Sequence, residues 1–122
     1  MELWHILVLI FGHTVADFVF QTDEVAKGKS SDNGILFKHV ATYICCLTLF
    51  ASSIVVSTTP MLNFLGFLAI NFAAHFITDY ITSRLTTYFW KREDRHNFFV
   101  TIGFDQFAHL AVLLITYSAL LV

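Results

Sequence analysis

Three pairs of residues in this chain repeat one pattern: His13 with Asp17, His75 with Asp79, and Asp105 with His109 each stand four positions apart. On a helix, residues i and i+4 lie on one face about 6 Å apart, so each pair presents an imidazole and a carboxylate side by side. His39 and Tyr43 repeat the step. Gln21 extends it beyond Asp17, Asn71 precedes His75 by the same interval, and Gln106 adjoins Asp105. Mixed imidazole and carboxylate donors suit Zn first, or Fe or Mn, and need no thiolate. The inventory is His13, His39, His75 and His109 with Asp17, Asp79 and Asp105. That exceeds the needs of one tetrahedral ion and matches the supply of a two-metal centre, where carboxylates bridge metals about 3.5–4 Å apart; one or two ions are expected.

The elements carrying these residues are apolar. Of 122 residues, 57% are hydrophobic and only 13% charged, against about 25% charged in an average soluble domain. A soluble domain of this size could not hide so much apolar surface, so a single integral membrane domain is expected. Four apolar runs, at 3–20, 36–56, 61–88 and 98–121, approach the roughly 20 residues that cross a bilayer as helix. The expected fold is all-α: a four-helix bundle in lipid with up-down-up-down order. Residues 22–35 are polar, with Gly28 and Gly34, and read as loop. Residues 57–60 form an uncharged turn, and 90–97 a strongly charged link.

Charge sets the orientation. All seven basic residues, Lys27, Lys29, Lys38, Arg84, Lys91, Arg92 and Arg95, fall in or beside the first and third links. The positive-inside rule puts those links in the cytoplasm of a bacterial inner membrane and both termini outside. Trp4 and Trp90 then anchor opposite interfaces, and anionic lipids are the expected neighbours of the basic links. No signal peptide is expected, since residues 1–5 lack a basic region and no cleavage site follows. Nucleic acid is not an expected partner; a homo-oligomer is one. Cys45 and Cys46 are adjacent, which rules out an ordinary staple between them, and they read as small buried apolar residues.

Counted at about 1.5 Å per residue from the cytoplasmic end of each run, the aspartates and histidines fall within one layer about 5–16 Å deep. An ionised Asp facing lipid there costs about 2.5–3.5 kcal/mol, so three of them must face each other, a metal or water. The segments GHTVADFVF and AHFITDYIT share His-x-x-x-Asp followed by an aromatic residue, which suggests two related helical hairpins. His5 and His96, at the membrane edge and in a link, read as solvated bystanders. Asn63 and Ser83 read as interface or packing residues.

Three uses of the layer are weighed. The first is a metal-dependent hydrolase acting on a lipid or membrane-embedded substrate. There His13, Asp17, His75, Asp79, Asp105 and His109 hold the ion, and Asp17, His39 or Asp105 handles protons. Gln21, Tyr43, Asn71 and Gln106 support them, while Lys38 and Arg84 at the cytoplasmic rim face an anionic headgroup, against the plainer reading of both as topology signals. The second is an oligomeric carrier or channel for a metal cation or protons. The third is an assembly or regulatory component whose polar layer locks the helices together.

The ordered set GHTVADFVFQTD, Lys-His opening the second run, AAHFITDYITSR and FDQFAH resembles a family of small bacterial and phage membrane proteins catalogued as a domain of unknown function. The resemblance spans essentially the whole chain. It carries over onto His13, Asp17, Gln21, Lys38, His39, His75, Asp79, Arg84, Asp105, Gln106 and His109, and brings no activity with it. In its paired residues alone the chain is also similar to membrane-bound metal-dependent hydrolases of the ceramidase and receptor-like group, which have more spans and a different motif order.

Overall fold

A lone proline at position 60 leaves few places where backbone hydrogen bonding must break. The computed structural model describes residues 2–55 and 57–122. Val56, the last residue of the second apolar run, lies outside the described residues. The chain is all-helical, with no strand among the described residues.

Helix α1 spans Leu3–Thr14 and passes directly into a π-helical turn, Val15–Val19, where the Phe20 N–H donates to the Val15 carbonyl at 3.1 Å. Helix α2 is short, Asp23–Gly28, and α3 covers Asn33–Ser52. Helices α4, Met61–Lys91, and α5, Arg95–Leu120, are the longest. The starts of α2, α3 and α5 follow side-chain capping. Thr22 accepts from the Val25 N–H, Asp32 from Gly34 and Ile35, and Asp94 from Asn97. The side-chain and backbone hydrogen bonds from Asn97 also hold the Asp94 carboxyl below the usual range. Pro60 precedes the first residue of α4, where a missing N–H is harmless.

Two links differ from the sequence reading. Residues 22–35 contain α2 and the first turn of α3, because Thr22 caps a turn carrying Asp23 and Glu24 at its positive end and Lys27 at its negative end. The charged 90–97 link shrinks to a tight turn between α4 and α5, with Glu93 in the left-handed region at φ 59°.

Helix α1 packs on α3 and α5, α3 on α4, and α4 on α5, while α2 and the π-helical turn rest on α3. Glycine permits two of these approaches. A Cβ on Gly12 would stand 2.6 Å from Phe50 Cγ, and one on Gly28 would stand 2.6 Å from Ile35 Cδ1. The polarity of the fold is the reverse of a soluble domain. Leu7, Phe11, Leu49, Leu62 and Phe107 are exposed, whereas Asp17, His39, His75 and Asp79 are buried. Helices α3, α4 and α5 are long and apolar enough to cross a membrane, and Leu3–Val19 is a shorter apolar helix.

Candidate metal centre

Five helical segments deliver the polar interior. Helix α1 supplies His13, the π-helical turn Asp17, α3 His39 and Tyr43, α4 His75 and Asp79, and α5 Asp105, Gln106 and His109. At the centre, His39 Nε2 lies 3.1 Å from Asp17 Oδ1, 3.2 Å from Asp79 Oδ2 and 3.3 Å from His75 Nε2. His75 Nε2 lies 3.3 Å from Asp17 Oδ1 and 3.6 Å from Asp79 Oδ2. All four donor atoms fall within 4.8 Å of one another. A tetrahedral ion with bonds of about 2.0–2.1 Å keeps its donors about 3.3–3.4 Å apart. Five edges of this tetrahedron match that spacing, from four residues that are all buried. The alternative filler is a proton, donated by one of the two ring nitrogens and accepted by the other.

His109 joins two further groups of possible metal donors, one with Asp79 and Asp105 and one with His13 and Asp17. It is buried, and neither of its ring nitrogens has a hydrogen-bond partner among the described residues. The nearest oxygens, Asp79 Oδ1 at 3.5 Å and Asp105 Oδ2 at 3.4 Å, flank the ring. An unsatisfied buried polar group costs about 1–3 kcal/mol, which a cation held by these three residues would relieve. The His109 ring also stacks on His75, with centroids 4.0 Å apart and planes 10° from parallel.

Gln106 orders the surroundings. Its Nε2 donates to Asp17 Oδ2 at 2.9 Å and to Asp105 Oδ2 at 3.0 Å, which turns its Oε1 toward His13 Nε2 at 3.0 Å. The reverse orientation would aim an oxygen at two carboxylates. His13 therefore donates from Nε2 and accepts at Nδ1 from the Tyr43 hydroxyl, 3.1 Å away. With both nitrogens engaged, His13 braces Gln106 and Tyr43. Thr82 donates to Asp105 Oδ1. The Lys29 ammonium, carried just past α2, donates to Asp79 Oδ2 at 2.8 Å. With the aspartates ionised and the imidazoles neutral, three aspartates against one lysine leave two negative charges, the amount that one divalent cation balances.

The motif order and the helical frame raise the question of kinship, and residues 5–122 match the model of a family described as "Protein of unknown function (DUF3307)". The chain belongs to that family. No curated protein and no solved structure matches it.

In this DUF3307 chain the cluster opens on a cavity of about 450 Å³ between the π-helical turn, α2 and the facing halves of α4 and α5. Asp17, Asp105 and Gln106 form part of its lining, with Lys27, Lys29 and Lys91 around it. Gln21 and Ser83 also line it, and the buried Gln21 Oε1 and Ser83 Oγ have no hydrogen-bond partner among the described residues. Asn71 stands apart from the donor atoms and ties α4 to α5, donating to the Phe67 carbonyl and Thr116 Oγ1 at 2.9 and 2.8 Å. Lys38 is exposed and does not line the cavity. Arg84 donates to Asn33 Oδ1 and the Tyr80 carbonyl and stacks on the Tyr80 ring, clamping α4 to the start of α3. His5 lies 2.6 Å from the Tyr117 hydroxyl, so the residue read as a bystander has a partner on α5.

Lys29, Thr82 and Ser83 escaped the sequence reading as site residues. The last two carried a usable signal, because steps of three and four from Asp79 continue the face of His75 onto Thr82 and Ser83. Lys29 carried one only through the capped α2 that positions it.

Proposed function

We propose that this chain is a membrane-embedded, metal-dependent hydrolase acting on a lipid or membrane-embedded substrate. On this reading Leu3–Val19, α3, α4 and α5 cross the bilayer as an up-down-up-down bundle, with both termini outside and the basic cavity rim in the cytoplasm of an inner membrane. The carrying observation is the tetrahedral spacing of the His39, His75, Asp17 and Asp79 donor atoms, set beside an open cavity. Zn fits the donor set and spacing best. His109 with Asp105 and the second oxygen of Asp79 would accept a second ion.

A bound divalent ion supplies Lewis acidity and an acidified water near neutral pH. The chain supplies the rest. Asp105, anchored by Thr82 and Gln106 at the cavity, is placed to accept the proton of the attacking water. Lys29 pairs with Asp79, and Gln106 holds Asp17 and Asp105 in fixed orientation. Transport is disfavoured by the other side of the cluster, where Leu9, Leu47, Phe67 and Leu113 pack without exposure around separate polar pairs, Asn71–Thr116 and His5–Tyr117.

Turnover of a panel of lipid esters and lipid phosphates by Zn-loaded protein in micelles tests the reading. Activity should vanish with chelator and return with Zn, and Asp105→Asn should lower kcat about 10²–10⁴-fold while the ion held by Asp17, His39, His75 and Asp79 stays bound. Metal-loaded protein that hydrolyses none of the panel, or an Asp105→Asn variant of undiminished rate, overturns it.

A further inference from the structure

The cavity has two sides of different chemistry. Its lining includes Lys27, Lys29 and Lys91, the Lys29 ammonium donating to Asp79 Oδ2, with Asp17 and Asp105 as the acidic lining residues. Its walls include Phe18, Trp90, Phe98 and Ile102, and Phe18 and Trp90 are each 52% exposed at its edge. Between them, Ser83 Oγ and Gln21 Oε1 are buried polar atoms that no described residue satisfies. Leaving such atoms unpaired is costly, so the cavity is built for an occupant with polar atoms at that depth. An ammonium cluster with nearby hydroxyls recognises phosphate, and aromatic walls open to the side accommodate an acyl chain.

We propose that this cavity binds a lipid carrying a net-anionic phosphate headgroup, with the phosphate among Lys27, Lys91 and the Ser83 hydroxyl. The chain of the lipid leaves past Phe18 and Trp90. The metal-centre reading gives the phosphate its destination, since the cavity ends at Asp17 and Asp105. The binding itself rests on the cavity alone. Lys38 and Arg84, also basic, take no part: one is exposed away from the cavity and the other is committed to Asn33 and Tyr80.

The test is binding, read from Trp90. In a Trp4→Phe background Trp90 is the sole indole, because the chain has two tryptophans. Titration of the protein in maltoside micelles with dioctanoyl phosphatidic acid should change Trp90 emission. The Kd should be lower by about tenfold or more than for dioctanoyl glycerol or dioctanoyl phosphatidylcholine. Lys27→Gln with Lys91→Gln should raise that Kd about tenfold, and Ser83→Ala should raise it several-fold, while Lys38→Gln leaves it within about twofold. Equal affinity for the glycerol or choline lipid overturns the proposal, as does an unchanged Kd in the double lysine variant. Inorganic phosphate binding as tightly as phosphatidic acid would assign the site to free phosphate and overturn the lipid assignment. Selective binding by a protein that holds no metal removes the hydrolase reading and leaves this one standing; metal-dependent turnover without headgroup selectivity does the reverse.

Discussion

If the cluster holds Zn, the unchanged chain is expected to bind about one ion per molecule, and protein carrying His39→Ala together with His75→Ala is expected to keep less than about a tenth of that. The two rings contribute both nitrogens of the tetrahedron, and the 3.3 Å separation between their Nε2 atoms leaves little room for any other donor to replace them. Two carboxylates alone bind Zn weakly, and water completes their shell poorly in a buried site. The pair is chosen because it spares the Lys29–Asp79 contact and the Gln106 network, so helix content should remain unchanged by circular dichroism. Elemental analysis after size exclusion in chelator-free detergent buffer reads the outcome directly. Metal retained by the double variant would move the site to the His109 groups; an unchanged chain without metal would end the metal-centre reading.

Asp79→Asn destabilises the protein by about 3 kcal/mol, and adding Lys29→Met to it restores about 2 kcal/mol. Asp79 is 1% and Lys29 15% exposed at the side chain, so water screens little of their 2.8 Å contact. An amide cannot neutralise the ammonium, and the lysine must either stay unpaired or withdraw along the cavity. Methionine keeps the stem and removes the charge. Denaturant unfolding of micelle-bound protein in the presence of chelator measures both variants without a contribution from metal binding. A coupling below about 0.5 kcal/mol would show that Lys29 and Asp79 do not depend on one another.

The donor cluster was legible because its residues obey helical periodicity within each segment and because charge in an apolar run must find company. Neither argument needs the tertiary fold: His75 and Asp79 share a face wherever α4 goes. What the spacing could not reveal is which neighbour each face meets. Asn71 sits one step from His75 on the same face, yet the close run of α4 beside α5 hands it to Thr116. His13 shares its face with Asp17 but is turned into a brace by Gln106 and Tyr43, a consequence of three helices meeting. Lys29 was unreadable for a different reason. A lysine in a polar link has no period, and its reach into the interior depends on α2 folding back over α3 at Gly28. The basic residues that periodicity did attach to spans, Lys38 and Arg84, face outward or are held by Asn33 and Tyr80.

The π-helical turn at Val15–Val19 gives the chain length a meaning that side-chain identity does not have. A π turn holds about one residue more than the α-helical turn it replaces, and one residue of α-helix corresponds to about 100° of rotation and 1.5 Å of advance. Everything downstream of Val19, including Gln21, α2 and Lys29 at its far end, is aimed by that surplus residue. Val15 and Val19 can drift among apolar side chains with modest effect, whereas Asp17 cannot. A shortening by one would point the whole following segment elsewhere and take the lysine off Asp79, so the spacing between Asp17 and Lys29 is as much a part of the site as either residue.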